Sequence, residues 1–438
     1  MSSTDMSNEA VKCLDSSLPA VGARPGPDGQ GAATVGTARP AGARKDNVTV
    51  VVAAAAKAQA FGAAEVSAAI TEGVHATLPS ARVLRVPDID TGTSFIEQVV
   101  DLYGGRIERI SLLGPHGELA LGQLGLTGQG DDLVAVIAAE EAVELTRDLH
   151  HLPDLTAASS RAIGQLITAA LDRGARRVIV GCGDSGACDG GIGMAGELGI
   201  RFLDADRAEI VEAGGLLRLA AIDMSHRDPR LPRAIIEAVV DPGHALLGID
   251  STVAASGPQR AASPTQVLRL EQGLARFAKI VRQCLGVDVA ALPGAGAAGG
   301  LAAGLAAFAG ARVISRADFL DQLEPLRAGL ASADMVIIAR PAVEAAHAAL
   351  AATAESDHSC SWLERKAASL GLPVIALAPE RLLTGSRLDE AAQGATAPAD
   401  DDAAQRPPAV GRGSRLPAAS AASLRHALGG WHRPAESV

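Results

Sequence analysis

Aromatic side chains are scarce in this chain, at 2% of 438 residues with one tyrosine and two tryptophans. A core built almost without rings must be filled by Ala, Val, Leu and Ile, and a hydrophobic content of 48% supplies them. Small side chains imply close packing of helices on sheets. A basic excess is also missing: the formal net charge is −11. Binding a phosphate backbone needs a basic face, so nucleic acid is excluded as a partner class. Cysteine is limited to Cys13, Cys182, Cys188, Cys284 and Cys360, an odd and scattered set. Such a set reads as reduced thiols, and no Cys or His pair follows Cys182 and Cys188 at zinc spacing. No strongly apolar run of about 18 residues is present, so no membrane-spanning helix is expected. Residues 1–46 carry Asp5, Glu9 and Asp15 and no apolar stretch of the kind a secretory signal needs. The expectation is a cytoplasmic protein with no membrane partner.

What remains is a long chain rich in alternating patterns. Its length predicts two or three domains. Residues 1–46 are rich in Ser, Gly, Ala and Pro and read as a disordered arm, and 386–438 as a mostly disordered tail. Between them, β-branched runs alternate with helical spacings. Strands are expected at Val48–Val52, Ala81–Val86, Arg106–Leu113, Glu118–Leu126, Leu133–Ala138, Arg177–Val180, Ala311–Ile314, Met335–Ile338 and Pro373–Leu377. Helices are expected at Ala63–His75, Ser94–Tyr103, Ser160–Asp172, Val267–Cys284, Gly299–Phe308 and over most of Ser315–Leu330. The turn Gly114-Pro115-His116-Gly117 predicts an antiparallel strand pair around it. Repeated β–α order predicts an α/β fold with a parallel-dominated sheet.

Three segments have the composition of a ligand site. Gly181–Gly191 follows a predicted strand and opens onto a helix. Glycines there let backbone amides approach an anion, and the helix start adds partial positive charge. Ser185 and Asp189 contribute a hydroxyl and a carboxylate. Pro293–Gly300 also precedes a helix, and Gly294, Gly296 and Gly299 satisfy G-x-G-x-x-G. A dinucleotide site would want an acid after the following strand, where this chain has Ser315 and Arg316. Arg316 could meet a 2′-phosphate, so an NAD(P)-dependent oxidoreductase remains one reading. The third segment, Asp241–Gly248, begins where a strand end would present Asp241 to a cleft.

Together and in this order, the three segments resemble those of the bacterial glycerate kinase family. Gly183–Gly191 corresponds to the family's Gly-Gly-Ser-Ala-Thr-Asn-Asp-Gly-Gly, and Pro293–Gly300 matches Pro-Gly-Ala-Gly-Ala-Ala-Gly-Gly residue for residue. Asp241–Gly248 corresponds to Asp-Val-Thr-Asn-Pro-Leu-Leu-Gly, and Gly257–Ala262 to Gly-Pro-Gln-Lys-Gly-Ala. The resemblance spans about 48–380. It implies ATP- and Mg²⁺-dependent phosphorylation of D-glycerate. It also implies a Rossmann-like domain from both ends of the body, 47–95 and 292–385, with a mixed α/β domain inserted over 96–291 and the site in the cleft. On this reading Asp189 and Asp241 are the catalytic carboxylates. Gly183, Ser185, Gly190, Gly191, Gly294, Gly296, Gly299 and Gly300 bind substrate or phosphate, and no metal-ligand set is assigned. Replacing Asp189 by Ala is then expected to remove activity and leave the fold intact.

The chain departs from the family at several polar positions. Ala53-Ala54-Ala55-Ala56-Lys57-Ala58 stands where the family has Ala-Pro-Asp-Ser-Phe-Lys, and an acidic glycine loop is shortened to Asp90-Thr91-Gly92-Thr93. Cys188 replaces the Asn before the motif Asp, and Ile338–Glu344 replaces Thr-Gly-Glu-Gly-Arg-x-Asp. These changes keep packing residues and remove polar ones. A second reading is therefore a catalytically degraded relative that binds a small anion or serves a regulatory role.

Overall fold

The computed structural model describes residues 48–54, 63–87, 89, 91–92, 94–113, 119–145, 155–183, 186–241, 243–248, 251–256, 262–339 and 359–377. The expected arm and tail, Ser185, and the Gly114–Gly117 turn lie outside these residues.

The elements run β1 (Thr49–Ala54), α1 (Ala63–Thr77), β2 (Arg82–Val86), α2 (Phe95–Tyr103), β3 (Arg106–Leu113), β4 (Leu119–Thr127), β5 (Val134–Ala138), α3 (Ala139–Leu145) and α4 (Arg161–Asp172). They continue β6 (Arg177–Gly181), α5 (Ile192–Glu197), β7 (Arg201–Leu203), β8 (Ala221–Asp223), β9 (Ile235–Val240), α6 (Thr252–Ser256), α7 (Pro264–Leu285) and α8 (Ala297–Gly304). The last are β10 (Arg312–Ser315), α9 (Arg316–Gln322), α10 (Glu324–Ser332), β11 (Met335–Ala339), α11 (Ser359–Ser369) and β12 (Val374–Leu377). The chain is α/β, and its two larger sheets are mainly parallel.

These elements form two compact units, one from Ile89–Phe319 and the other from the described residues on either side of it. The smaller unit holds a four-stranded parallel sheet in the order β12-β11-β1-β2. β1 and β11 are buried along their whole length, apart from Thr49, which explains their near-continuous β-branched and apolar composition. Val66, Ile70 and Val74 of α1 recur at helical spacing and close one face of that sheet.

The larger unit holds a six-stranded sheet in the order β10-β9-β6-β5-β4-β3. β5, β6, β9 and β10 are parallel, and β3 and β4 form the expected antiparallel pair. Glu237, in the middle of β9, is 1% exposed and is paired with Arg177 of β6 at 2.6 Å and Arg312 of β10 at 3.5 Å. The register that sets these three side chains in adjacent strands keeps a buried carboxylate compensated. α7 packs along this unit through Leu270, Leu274, Phe277 and Val281. Its start is fixed by a capping box between Ser263 and Gln266 with Pro264 at the first turn, and its end by Gly286 at φ 71°.

Two boundaries differ from the sequence reading. The segment 292–319 was grouped with the chain ends, but β10 hydrogen-bonds to β9, so it belongs to the larger unit. The stretch expected to be mostly helical over Ser315–Leu330 is divided into α9 and α10 at Leu323, whose extended backbone caps α10.

Candidate functional site

Parallel strands deliver their C-terminal ends to one edge of a sheet, and that edge is where α/β proteins place ligands. In the larger unit, β5 ends at Ala138 and leads to Glu140, and β6 leads to Gly183. β9 leads to Asp241 and β10 to Arg316. A Cβ on Gly183 would sit 2.6 Å from the carbonyl oxygen of Thr91 and 3.1 Å from Glu140 Oε2, so the 91–92 segment and α3 border the same edge. Gly183, Glu140, Asp241 and His244 are partly exposed there.

The three motif segments are in direct contact. The Gly190 amide donates to the Gly299 carbonyl at 3.1 Å, and the Gly296 amide donates to the His244 carbonyl at 3.0 Å. Thr252 Oγ1 donates to the Gly296 carbonyl at 2.5 Å. Gly299 adopts φ +65°, and a Cβ there would overlap the carbonyl oxygen of Ala187; one on Gly296 would overlap that of Ala245. Glycine is required because backbone packs on backbone.

This contact gives most of the motif glycines a packing role. Gly190, Gly191, Gly294, Gly296, Gly299 and Gly300 are all buried. The amides of Gly190 and Gly296 are spent as described, Gly191 donates to Asp189 Oδ1 at 2.9 Å, and Gly300 donates to the Gly296 carbonyl at 3.0 Å. These four amides hold protein groups rather than face a ligand. Among the expected glycines only Gly183 lies on the partly exposed edge.

Asp189 is enclosed in the same scaffold. Its side chain is 0% exposed. Oδ2 accepts from the Ser160 amide at 2.8 Å, the Ser160 hydroxyl at 2.8 Å and the Gly193 amide at 3.1 Å, and Oδ1 accepts from Gly191. Ser160 Oγ in turn accepts from the Met194 amide at 3.0 Å. The carboxylate thus ties the start of α4 to the start of α5. Burial pushes its pKa up, and the hydrogen bonds pull it partly back. Cys182 is buried too, and burial pushes its thiol up to about 12, which leaves it a packing residue.

Asp241 stands apart from this scaffold. Its side chain is 34% exposed, and Oδ1 lies 2.8 Å from Arg316 Nη2. Arg316 was considered in the sequence only for a 2′-phosphate. Its burial beside Asp241 follows from the β9–β10 register, which pairs Val240 with Ser315 and makes the next residues neighbours. Glu141 and Glu97 lie close enough for their charges to interact. Burial and the charge of Glu97 push the Glu141 carboxyl up, and a hydrogen bond from Gln123 opposes them.

The dinucleotide reading loses its structural context. The Gly294–Gly299 segment follows α7 and a short 3-10 turn at Val289–Ala291, not a strand, so it is not the turn of a strand–turn–helix unit that could hold a pyrophosphate. The helix after it is also distorted, with positive φ at Ala298, Gly299 and Gly300. Among the described residues no group of three or more His, Cys, Asp or Glu side chains is arranged to hold a metal, and no helix is long and apolar enough to cross a membrane.

The profile of the Glycerate kinase family matches residues 50–413. A glycerate kinase of Halalkalibacterium halodurans is 33% identical over 290 residues, covering 66% of this chain and 76% of its own. Glycerate 2-kinase of Escherichia coli K12 is 36% identical over 267 residues, covering 61% and 70%. Among solved structures, a protein taken to be glycerate kinase 2 of Salmonella typhimurium LT2 superposes with a TM-score of 0.63 at 33% identity, covering 76% of this chain and 86% of its own. The chain belongs to the glycerate kinase family.

Proposed function

We propose that this protein transfers a phosphoryl group from ATP to D-glycerate, with the hydroxy acid bound at the C-terminal edge of the six-stranded sheet. The observation that carries the reading is Asp241. It is the strand-end carboxylate that keeps an open face while the motif scaffold beneath it is intact. Asp241 accepts a hydrogen bond from the substrate hydroxyl and orients its oxygen toward the incoming phosphorus. Such placement supplies much of the rate in phosphoryl transfer, where positioning and charge stabilisation dominate. Asp189 acts through the scaffold, fixing Gly191 and Gly193 at the start of α5.

Mg²⁺ in such reactions is held by one or two carboxylates together with the nucleotide phosphates. Asp241 fits that need through its outer oxygen: the side chain is partly exposed, while Oδ1 is buried against Arg316. The ion, when bound, neutralises charge on the transferring phosphoryl group. Glycerate, ATP and the ion are small partners, and the acidic net charge offers nothing to nucleic acid.

The test is ADP release on mixing purified protein, Mg-ATP and D-glycerate, read through a coupled assay. Glycerate-dependent turnover is expected, and Asp241→Asn should lower it about a hundredfold or more. ADP release that does not depend on glycerate across pH 6–9 refutes the assignment and favours the degraded, anion-binding reading.

A further inference from the structure

Arg316 is the first residue after β10 and is almost fully buried, its side chain 6% exposed. A guanidinium offers five N–H donors in a fixed fork. Here Nη1 reaches the Ile89 carbonyl at 3.4 Å, and Nη2 lies 2.8 Å from Asp241 Oδ1. The second contact is an ion pair in which the N–H does not point at the oxygen. Arg316 Nε and Asp241 Oδ1 are accordingly both buried atoms without a hydrogen-bond partner. A buried donor and a buried acceptor are thus left unmade side by side, each at a cost that a protein ordinarily avoids.

We propose that Arg316 is the carboxylate anchor of this site and that Arg316 and Asp241 together read an α-hydroxy acid. The choice of ligand rests on the kinase reading above. An α-hydroxy carboxylate carries an anionic acceptor and a hydroxyl donor on adjacent carbons. The carboxylate takes the guanidinium N–H that now lacks an acceptor, and the hydroxyl donates to the Asp241 oxygen that now lacks a donor. A small turn of the partly exposed Asp241 side chain opens the pair to the ligand. The planar fork suits a carboxylate, which a lysine ammonium cannot match with two parallel bonds. A neutral amide or polyol of the same size offers the free guanidinium N–H no charged acceptor, so the pair selects for the acid.

The experiment is calorimetric titration of the full chain without nucleotide, using D-glycerate and its neutral analogue D-glyceramide. Wild type is expected to prefer the acid at least tenfold. Arg316→Met should weaken glycerate at least tenfold and leave glyceramide within twofold, abolishing the preference. Arg316→Lys keeps the charge and should still weaken glycerate at least threefold, which provides a reading if the methionine variant does not fold. Wild type that fails to bind glycerate, or binds acid and amide alike, overturns the proposal. So does a folded Arg316 variant that keeps wild-type affinity. Because no ATP is present, binding without later phosphoryl transfer refutes only the kinase reading, and turnover undiminished in the Arg316 variants refutes only the anchor.

Discussion

Replacing Asp189 by Ala separates a scaffold role from a catalytic one. The substitution removes the acceptor for three backbone amides, those of Ser160, Gly191 and Gly193, and for the Ser160 hydroxyl. Each buried amide left without a partner costs about 1–3 kcal/mol. Against this, the mutant no longer buries a carboxylate, whose desolvation already pushes its pKa up, and water admitted to the space can serve some of the donors. The net loss should be about 3 kcal/mol. For a unit of this size that corresponds to a fall in melting temperature of roughly 6–12 °C. Thermal unfolding followed by circular dichroism reads it directly. Asp189→Asn should fall in the same direction, because its NH₂ group would face amide donors. A variant that melts within 2 °C of wild type while losing activity refutes the scaffold argument and returns Asp189 to the chemistry.

Other perturbations probe separate parts of the account. Asp241→Asn removes the charge that faces the almost fully buried Arg316 guanidinium, so it should cost about 2 kcal/mol and lower the melting temperature by roughly 4–8 °C; an unchanged melting temperature would show that this ion pair adds nothing to the folded state. Gly299→Ala places a side chain where backbone φ is +65° and where the Ala187 carbonyl leaves no room, so it should cost about 3 kcal/mol or more; soluble expression and melting at the wild-type temperature would contradict that. Glu141→Gln tests the acidic pair. The folded-state pKa of Glu141 is raised, so the native protein binds its proton more readily than the unfolded chain, and stability falls as pH rises from the unfolded value through the folded one. The variant should therefore melt higher than wild type at pH 8, with the gain vanishing near pH 4. An equal gain at both values would show that ionisation is not the cause.

Much of the architecture was legible because the strands that build it are long and apolar. β1, β5, β6 and β11 are β-branched or apolar runs buried on both faces, and α4 and α7 carry their apolar residues at helical spacing. β7 and β8 were not foreseen, since three residues each are too few to show a period. α11 was missed because its sequence, SCSWLERKAAS, is mostly polar and buries only a few positions. The glycine segments were legible as special but not as to purpose. Composition reveals that backbone must come close to something, and here that something is another glycine segment. Arg316 was least legible as a site residue. Its partner Asp241 follows a different strand, and only the parallel register of β9 and β10 makes them neighbours.

The most direct measurement is ³¹P nuclear magnetic resonance of a mixture of the purified chain, Mg-ATP and D-glycerate. The account predicts that ATP resonances give way to those of ADP and a new phosphomonoester signal that requires both glycerate and Asp241. Intact ATP after prolonged incubation, or free inorganic phosphate as the sole new species, would contradict it.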